Sequence, residues 1–188
     1  MADESSEPIE MEFIELHNET LRGDVEAVRK LLDNGAEVDQ LDQQHKTALM
    51  IACRHGELEI AELLMERGAD IHRRSKELGI PVLSWSMGHK PEHTLIARSL
   101  LKRGADPNQA DFKGWTPLMK AVLTPNMDII DQLLHFGADK AISLVDGDGL
   151  VEAGTTAFDL AKFSNNPDLR EKIAIIVKPD GANATPAA

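Results

Sequence analysis

A Gly-Ala pair stands at 35, 68, 104 and 137, so the same corner returns after 33, 36 and 33 residues. No other feature limits the fold as much, because a fixed period of roughly 20 to 50 residues is the mark of stacked repeat units. Ahead of each corner lies a short run with paired apolar residues at helical spacing: Val28, Leu31, Leu32; Ile60, Leu63, Leu64; Ile96, Leu100, Leu101; Ile129, Leu133, Leu134. Each run offers one apolar stripe. A helix of about ten residues is marginal in water on its own, so each stripe must be buried against a neighbouring unit. Glycine suits the stop, since a helix that ends sharply puts its next residue in the left-handed region, which glycine enters without a Cβ penalty.

A second set of signals restarts a helix about a dozen residues later: "TALMIA" at 47, "IPVLSW" at 80, "TPLMKA" at 116 and "TAFDLA" at 156. In Thr116-Pro117 the hydroxyl can cap exposed N–H groups while proline takes the first helical position, where its missing N–H costs nothing. Ile80 cannot cap in this way, so the start at 80, in the third unit, is expected to be weaker or held by packing. Between corner and restart lie polar segments, "EVDQLDQQHK", "DIHRRSKELG" and "DPNQADFKG", each long enough for two short extended arms and a tight turn.

Gly-Ala-Asp followed by Asn and Asp, then Gly-x-Thr-Pro-Leu and a paired-leucine helix on a 33-residue beat, resembles the ankyrin repeat over roughly residues 12 to 177. The resemblance implies an all-α solenoid of about five helix-turn-helix units with β-hairpin fingers along one edge. It also implies a general function of binding other proteins through those fingers and the inner helices. The expected organisation is an acidic, disordered tail over 1–11, then units over 12–41, 42–74, 75–110, 111–146 and 147–177, and a flexible tail over 178–188. The first and last units are expected to act as caps that end the core in polar surface. The family's His after Thr-Pro-Leu is replaced by Met50, Leu83 and Met119. "MGHKPEHT" lengthens the loop between the helices of the third unit, and "ISLVDGDGLVEAGT" should make the last finger extended or mobile.

Charge and composition narrow the function. The formal charge is −12, which disfavours nonspecific attraction to nucleic acid or anionic lipid. No apolar stretch approaches the roughly 20 residues needed to span a bilayer, and no leader is visible, so a cytoplasmic protein is expected, monomeric on its own. The charge is uneven: residues 67 to 103 carry eight Lys/Arg against three Asp/Glu, a local +5, whereas the first 19 residues hold seven acids and no base.

Catalytic and metal-binding constellations are missing from the sequence, so neither an enzyme nor a cofactor is expected; the competing reading is an enzyme or metal-dependent protein built on scattered His and Asp residues. The histidines form no His-Glu-x-x-His or zinc-finger pattern, and His17, His45, His55, His72 and His135 are expected mostly exposed. "DGDGLVE" departs from the calcium loop at Leu150, Val151 and Ala157. Cys53 reads as a small buried hydrophobe. Asn18-Glu-Thr and Asn183-Ala-Thr fit the glycan acceptor pattern but lack a secretory context. Asn108 matches ankyrin asparagines that undergo hydroxylation. Trp85, at a position where the family has a small alanine, is expected to fill the core; its removal would then cost about 3 to 5 kcal/mol.

Carried over from the family residue by residue, the finger contacts are Gln43, Gln44 and Lys46; Arg73, Arg74 and Lys76; Phe112, Lys113 and Trp115. The first-helix contacts are Ile51, Arg54 and His55; Met87; Lys120 and Leu123. This set is basic within an acidic protein and carries two aromatics, the residue types from which binding hot spots are made. It suggests an acidic, partly apolar protein segment as partner. The alternative is a solvated charged face with Phe112 and Trp115 packed on neighbouring fingers. The acidic N-terminus could also fold back on the basic fingers and compete with the partner. Arg98, Lys102 and Arg103 fall on second helices, so the basic residues form no continuous stripe for phosphates.

Overall fold

The computed structural model describes residues 7–124, 126–145, 151–163 and 167–177. Ten helices follow in order: α1 Glu7–Arg22, α2 Val25–Asp33, α3 Ala48–His55, α4 Leu58–Glu66, α5 Val82–Trp85, α6 Pro91–Lys102, α7 Pro117–Leu123, α8 Met127–His135, α9 Ala157–Ala161 and α10 Pro167–Val177. Two-residue links such as Gly23-Asp24 fold consecutive helices into antiparallel pairs. Odd-numbered helices pack on odd-numbered ones in an inner row running α1, α3, α5, α7, α9, while α2, α4, α6 and α8 stack behind them. The buried stripes read from the sequence meet between these rows: Val28, Ile60, Leu64, Ile96, Leu100, Ile129 and Leu133 are all essentially inaccessible to solvent.

The corners have one geometry. Gly35, Gly68, Gly104 and Gly137 adopt φ of +94°, +88°, +94° and +89°. The alanine after each donates its N–H back to the helix, Ala36 to Leu31 O, Ala69 to Leu64 O, Ala105 to Leu100 O and Ala138 to Leu133 O, at 2.9 to 3.0 Å. This is the Schellman closure, and it satisfies carbonyls that the helix end would otherwise leave orphaned. At the restarts, Thr47, Thr116 and Thr156 hydroxyls accept the N–H groups of Met50, Met119 and Asp159. The start of the third unit has no side-chain cap, and α5 runs for only four residues.

The fingers differ from the expected hairpins. Among the described residues they are turns joined by single bridges, Arg74 to Pro81 and Ser143 to Thr156. Carboxylates do the work of a ladder: Asp42 Oδ1 accepts from Gln44 N and Lys46 N, and Asp111 Oδ1 from Lys113 N and Trp115 N. Such side-chain bonds favour a tight turn over paired strands. Residues 146–150 of the last finger, which include most of the "DGDGLVE" motif, lie outside the described residues. Its flanks are closed by Leu144 N donating to Thr155 O at 2.9 Å.

At the N-terminus the helix begins at Glu7, ahead of the tail boundary expected at residue 11. Proline in a first helical turn loses no hydrogen bond, so Pro8 suits this start. Residues 1–6 lie outside the described residues, as do 178–188. At the other end, Phe163 and Ile175 are 74% and 68% exposed, so the last unit does not close the stack with a wholly polar face.

Candidate functional site

The finger side of the inner row carries most of the residues singled out from the sequence. Lys46 from the first finger and Ile51, Arg54 and His55 from α3 line one groove of about 370 Å³. Arg54 and His55 are exposed, and Lys46 and Ile51 half-buried. His17, Asn18 and Leu21 of α1 form the opposite wall, with Asp42, Gln43 and Gln44 at the finger tip. The α1 wall was not legible in the sequence, because it precedes the first corner and only packing brings it against α3. His17, expected exposed, is buried: its Nε2 lies 3.1 Å from both Gln40 O and Lys46 O and ties α1 to the finger.

Trp85 lies beside this groove and is half-buried; it packs against the core without filling it. Lys46 Nζ sits over its ring at 5.5 Å from the centroid and Arg54 Cζ at 5.6 Å. The expectation of core filling holds only in part: the ring packs on the core but stays half-buried, at the last residue of α5. The equivalent alanines, Ala52 and Ala121, lie inside longer helices and are fully buried. Met87 is corrected by the same truncation. Placed among the contacts from its register with Arg54 and Leu123, it falls beyond the helix end and turns inward to 8% exposure.

The loop that follows is pinned to the second unit. His93, in α6, is buried; its Nδ1 accepts from Lys90 N at 3.2 Å and its Nε2 lies 3.2 Å from Arg54 O. Lys90 Nζ donates to His55 O at 2.9 Å. The extra residues of the third unit thus form a brace beneath Arg54 and His55.

Further along, much of the basic set is spent on the fingers themselves. Arg74 Nη1 donates to Ala110 O at 2.6 Å and Arg73 Nη1 to Asp39 O at 3.4 Å, each crossing to an adjacent finger. Lys120 Nζ is paired at 2.8 Å with Asp111, whose side chain is only 8% exposed. Lys76 Nζ lies 3.2 Å from His45 Nε2. Phe112 stacks over Gly79 and donates its N–H to Leu78 O, yet stays 63% exposed. Lys113 and Leu123 are exposed, and Trp115 is half-buried against the core. The contacts thus divide: a groove between α1 and α3, and an apolar fingertip around Phe112.

Asn108 is also structural. Its Oδ1 accepts from Asp139 N at 2.7 Å and its Nδ2 donates to Gly137 O at 3.0 Å, clasping the next finger. Asp39 makes the matching clasp to Asp70 N at 3.1 Å. Cys53 is fully buried, and that burial pushes its thiol pKa far up, so the reactive thiolate is suppressed. Among the described residues no three or more His, Cys, Asp or Glu side chains gather closely enough to hold a metal ion. No described helix is long and apolar enough to cross a membrane.

Comparison with known proteins agrees with this architecture. A family model described as "Ankyrin repeats (3 copies)" matches residues 16–75, and one described as "Ankyrin repeat" matches residues 113–142. The stretch between them contains the short α5 and the braced loop. The chain is 34% identical over 131 residues to the ankyrin repeat protein nuc-2 of Neurospora crassa, an alignment covering 69% of this chain and 12% of that protein. It is 32% identical over 153 residues to an ankyrin repeat protein of Fowlpox virus, covering 80% of this chain and 43% of the relative. An ankyrin repeat, SAM and basic leucine zipper domain-containing protein of Mus musculus is 31% identical over 68% of this chain and 28% of its own length. The chain spans less than half the length of each. Ankyrin repeats are in general a noncatalytic module for protein–protein interaction, and with its periodic corners, stacked helix pairs and projecting fingers this chain belongs to the ankyrin repeat family.

Proposed function

We propose that the chain is a noncatalytic adaptor, scaffold or inhibitor that binds an acidic and partly apolar segment of another protein along the finger side of its second to fourth units. The observation that carries this reading is the convergence of Lys46, Ile51, Arg54 and His55, from two separate elements, on one groove. Exposed Phe112 and Leu123 continue the apolar component along the same side. A groove that mixes Arg and aliphatic side chains, with an indole beside it, suits recognition, because it buries much area while excluding water from the charge pairs. The net charge of −12 supports a protein ligand over nucleic acid. The same reading takes the chain as a cytoplasmic protein, monomeric until it meets its partner.

The test is affinity capture with the wild-type chain and with an Arg54→Glu/Lys76→Glu/Phe112→Ala variant whose helicity and melting temperature match wild type. The variant should lose the polypeptides that wild type retains at physiological salt. Equal capture by both proteins would refute binding through this side.

A further inference from the structure

Lys46 and Arg54 differ from the other basic residues of the finger side in sharing one aromatic ring, that of Trp85. Arg73 and Arg74 are bonded to backbone carbonyls of neighbouring fingers, and Lys120 is paired with Asp111. Lys46 Nζ has only the neutral Gln44 Oε1, at 2.6 Å, and neither it nor Arg54 has a carboxylate partner among the described residues. The acid that lines the groove, Asp42, has its Oδ1 occupied by the N–H groups of Gln44 and Lys46. Both cations are instead drawn to one ring, that of Trp85. An indole face attracts a cation through its quadrupole, but two like charges gathered at one ring repel each other. An anion bound beside them would relieve that repulsion.

The surroundings favour an anion of a particular kind. The indole shields one side of the cations from water, which strengthens any charge pair made there. The guanidinium fork of Arg54 matches the planar oxygens of a carboxylate. Its backbone is held in place, since its carbonyl is bonded by His93 Nε2 at 3.2 Å and the next carbonyl by Lys90 Nζ at 2.9 Å. Less freedom is therefore lost on binding. The groove is apolar beside the charges, where Leu21 is 55% exposed and Ile51 half-buried.

The geometry points to a carboxylate-binding subsite formed by Lys46, Arg54 and Trp85, which takes an Asp or Glu of the protein partner while an aliphatic side chain close to it in the partner seats on Leu21 and Ile51. This rests on the binding reading above and deepens it: the acidic anchor is received at the junction of the second and third units, not at the fingertips. The indole is part of the subsite, which explains a large aromatic at a position that alanine occupies in the neighbouring units.

The experiment selects ligands from a random 12-residue peptide display library on the immobilised full chain, then measures synthetic peptides by fluorescence polarisation. Selected peptides should carry Asp or Glu within a few residues of Leu, Ile or Val. Exchange of that acid for its amide should weaken binding at least about tenfold, the scale of a charge-assisted hydrogen bond. A Lys46→Gln/Arg54→Gln variant should bind the acidic peptide no better than its amide form, and Trp85→Leu should weaken the acidic form more than the amide form. Peptides that bind equally as acid and amide, or whose affinity survives Lys46→Gln/Arg54→Gln, would overturn the subsite. If such peptides respond to Phe112→Ala and Lys76→Glu, the subsite fails while finger-side binding stands; if no peptide is selected, both fail.

Discussion

Asn108→Ala should remove the clasp between the third and fourth fingers. Two bonds are lost, from Asp139 N to Oδ1 at 2.7 Å and from Nδ2 to Gly137 O at 3.0 Å. A net protein hydrogen bond contributes about 0.5 to 1.5 kcal/mol, and burial of an abandoned partner raises the cost. Here Gly137 and Asp139 are exposed, so water can take over both groups and the lower half of the range applies, about 1 to 2 kcal/mol in all. For a chain of this size that is a fall in melting temperature of roughly 2 to 8 °C. The fold supplies its own controls. His72 occupies the same place in the preceding finger and makes no side-chain bond to Asp106 among the described residues, so His72→Ala should stay within about 0.5 kcal/mol of wild type. Asn108→Asp keeps an acceptor for Asp139 N, as Asp39 does for Asp70 N, and should fall between wild type and alanine. Urea unfolding followed by circular dichroism measures all three. If His72→Ala costs as much as Asn108→Ala, the clasp does not stabilise the stack.

Glycine replacements should separate backbone strain from crowding. Gly35 has φ of +94° and open space where a methyl group would project, so Gly35→Ala should cost about 1 kcal/mol, for its left-handed backbone alone. Gly114 has φ of +89° and would place a Cβ 2.7 Å from Val145 N and 3.3 Å from Leu144 Cα. Gly114→Ala must therefore shift the adjoining finger and should cost at least about 2 kcal/mol; equal midpoints for the two variants in denaturant would contradict this. Acid should loosen the cap of α9. The Lys162 side chain, followed by the Thr156 hydroxyl and N–H, holds the Asp159 carboxyl below its ordinary 3.8. A depressed pKa in the folded state means the contribution is present above that ordinary value and lost as pH falls through the folded one. Hydrogen exchange at Thr156 N–H, which donates to Asp159 Oδ2 at 3.1 Å, should accelerate below about pH 4 relative to Ala52, after correction for intrinsic rates. Parallel behaviour at the two sites would rule out a local effect.

Much of the fold was legible because its signals are local. A glycine that closes a Schellman corner, a threonine that caps the next helix and a stripe of Leu and Ile act within a few residues of one another. Their period needs no knowledge of what lies across the fold. The weak start of the third unit was legible for the same reason: the Ile80 side chain has no oxygen to offer, and α5 is short.

The site was legible only in part. Lys46, Ile51, Arg54 and His55 do share a groove, but Met87 was misplaced, because transferring register from Arg54 and Leu123 assumes helices of equal length. The roles of Arg73, Arg74 and Lys120 were hidden for another reason, since their partners Asp39, Ala110 and Asp111 become neighbours only when units stack and fingers fold. The sequence by itself determined that this chain piles short amphipathic hairpins into a row, since none can bury its stripe alone. Only the tertiary structure decided which cations remain without a carboxylate beside the groove, because charge pairing depends on distances between units that no local pattern encodes.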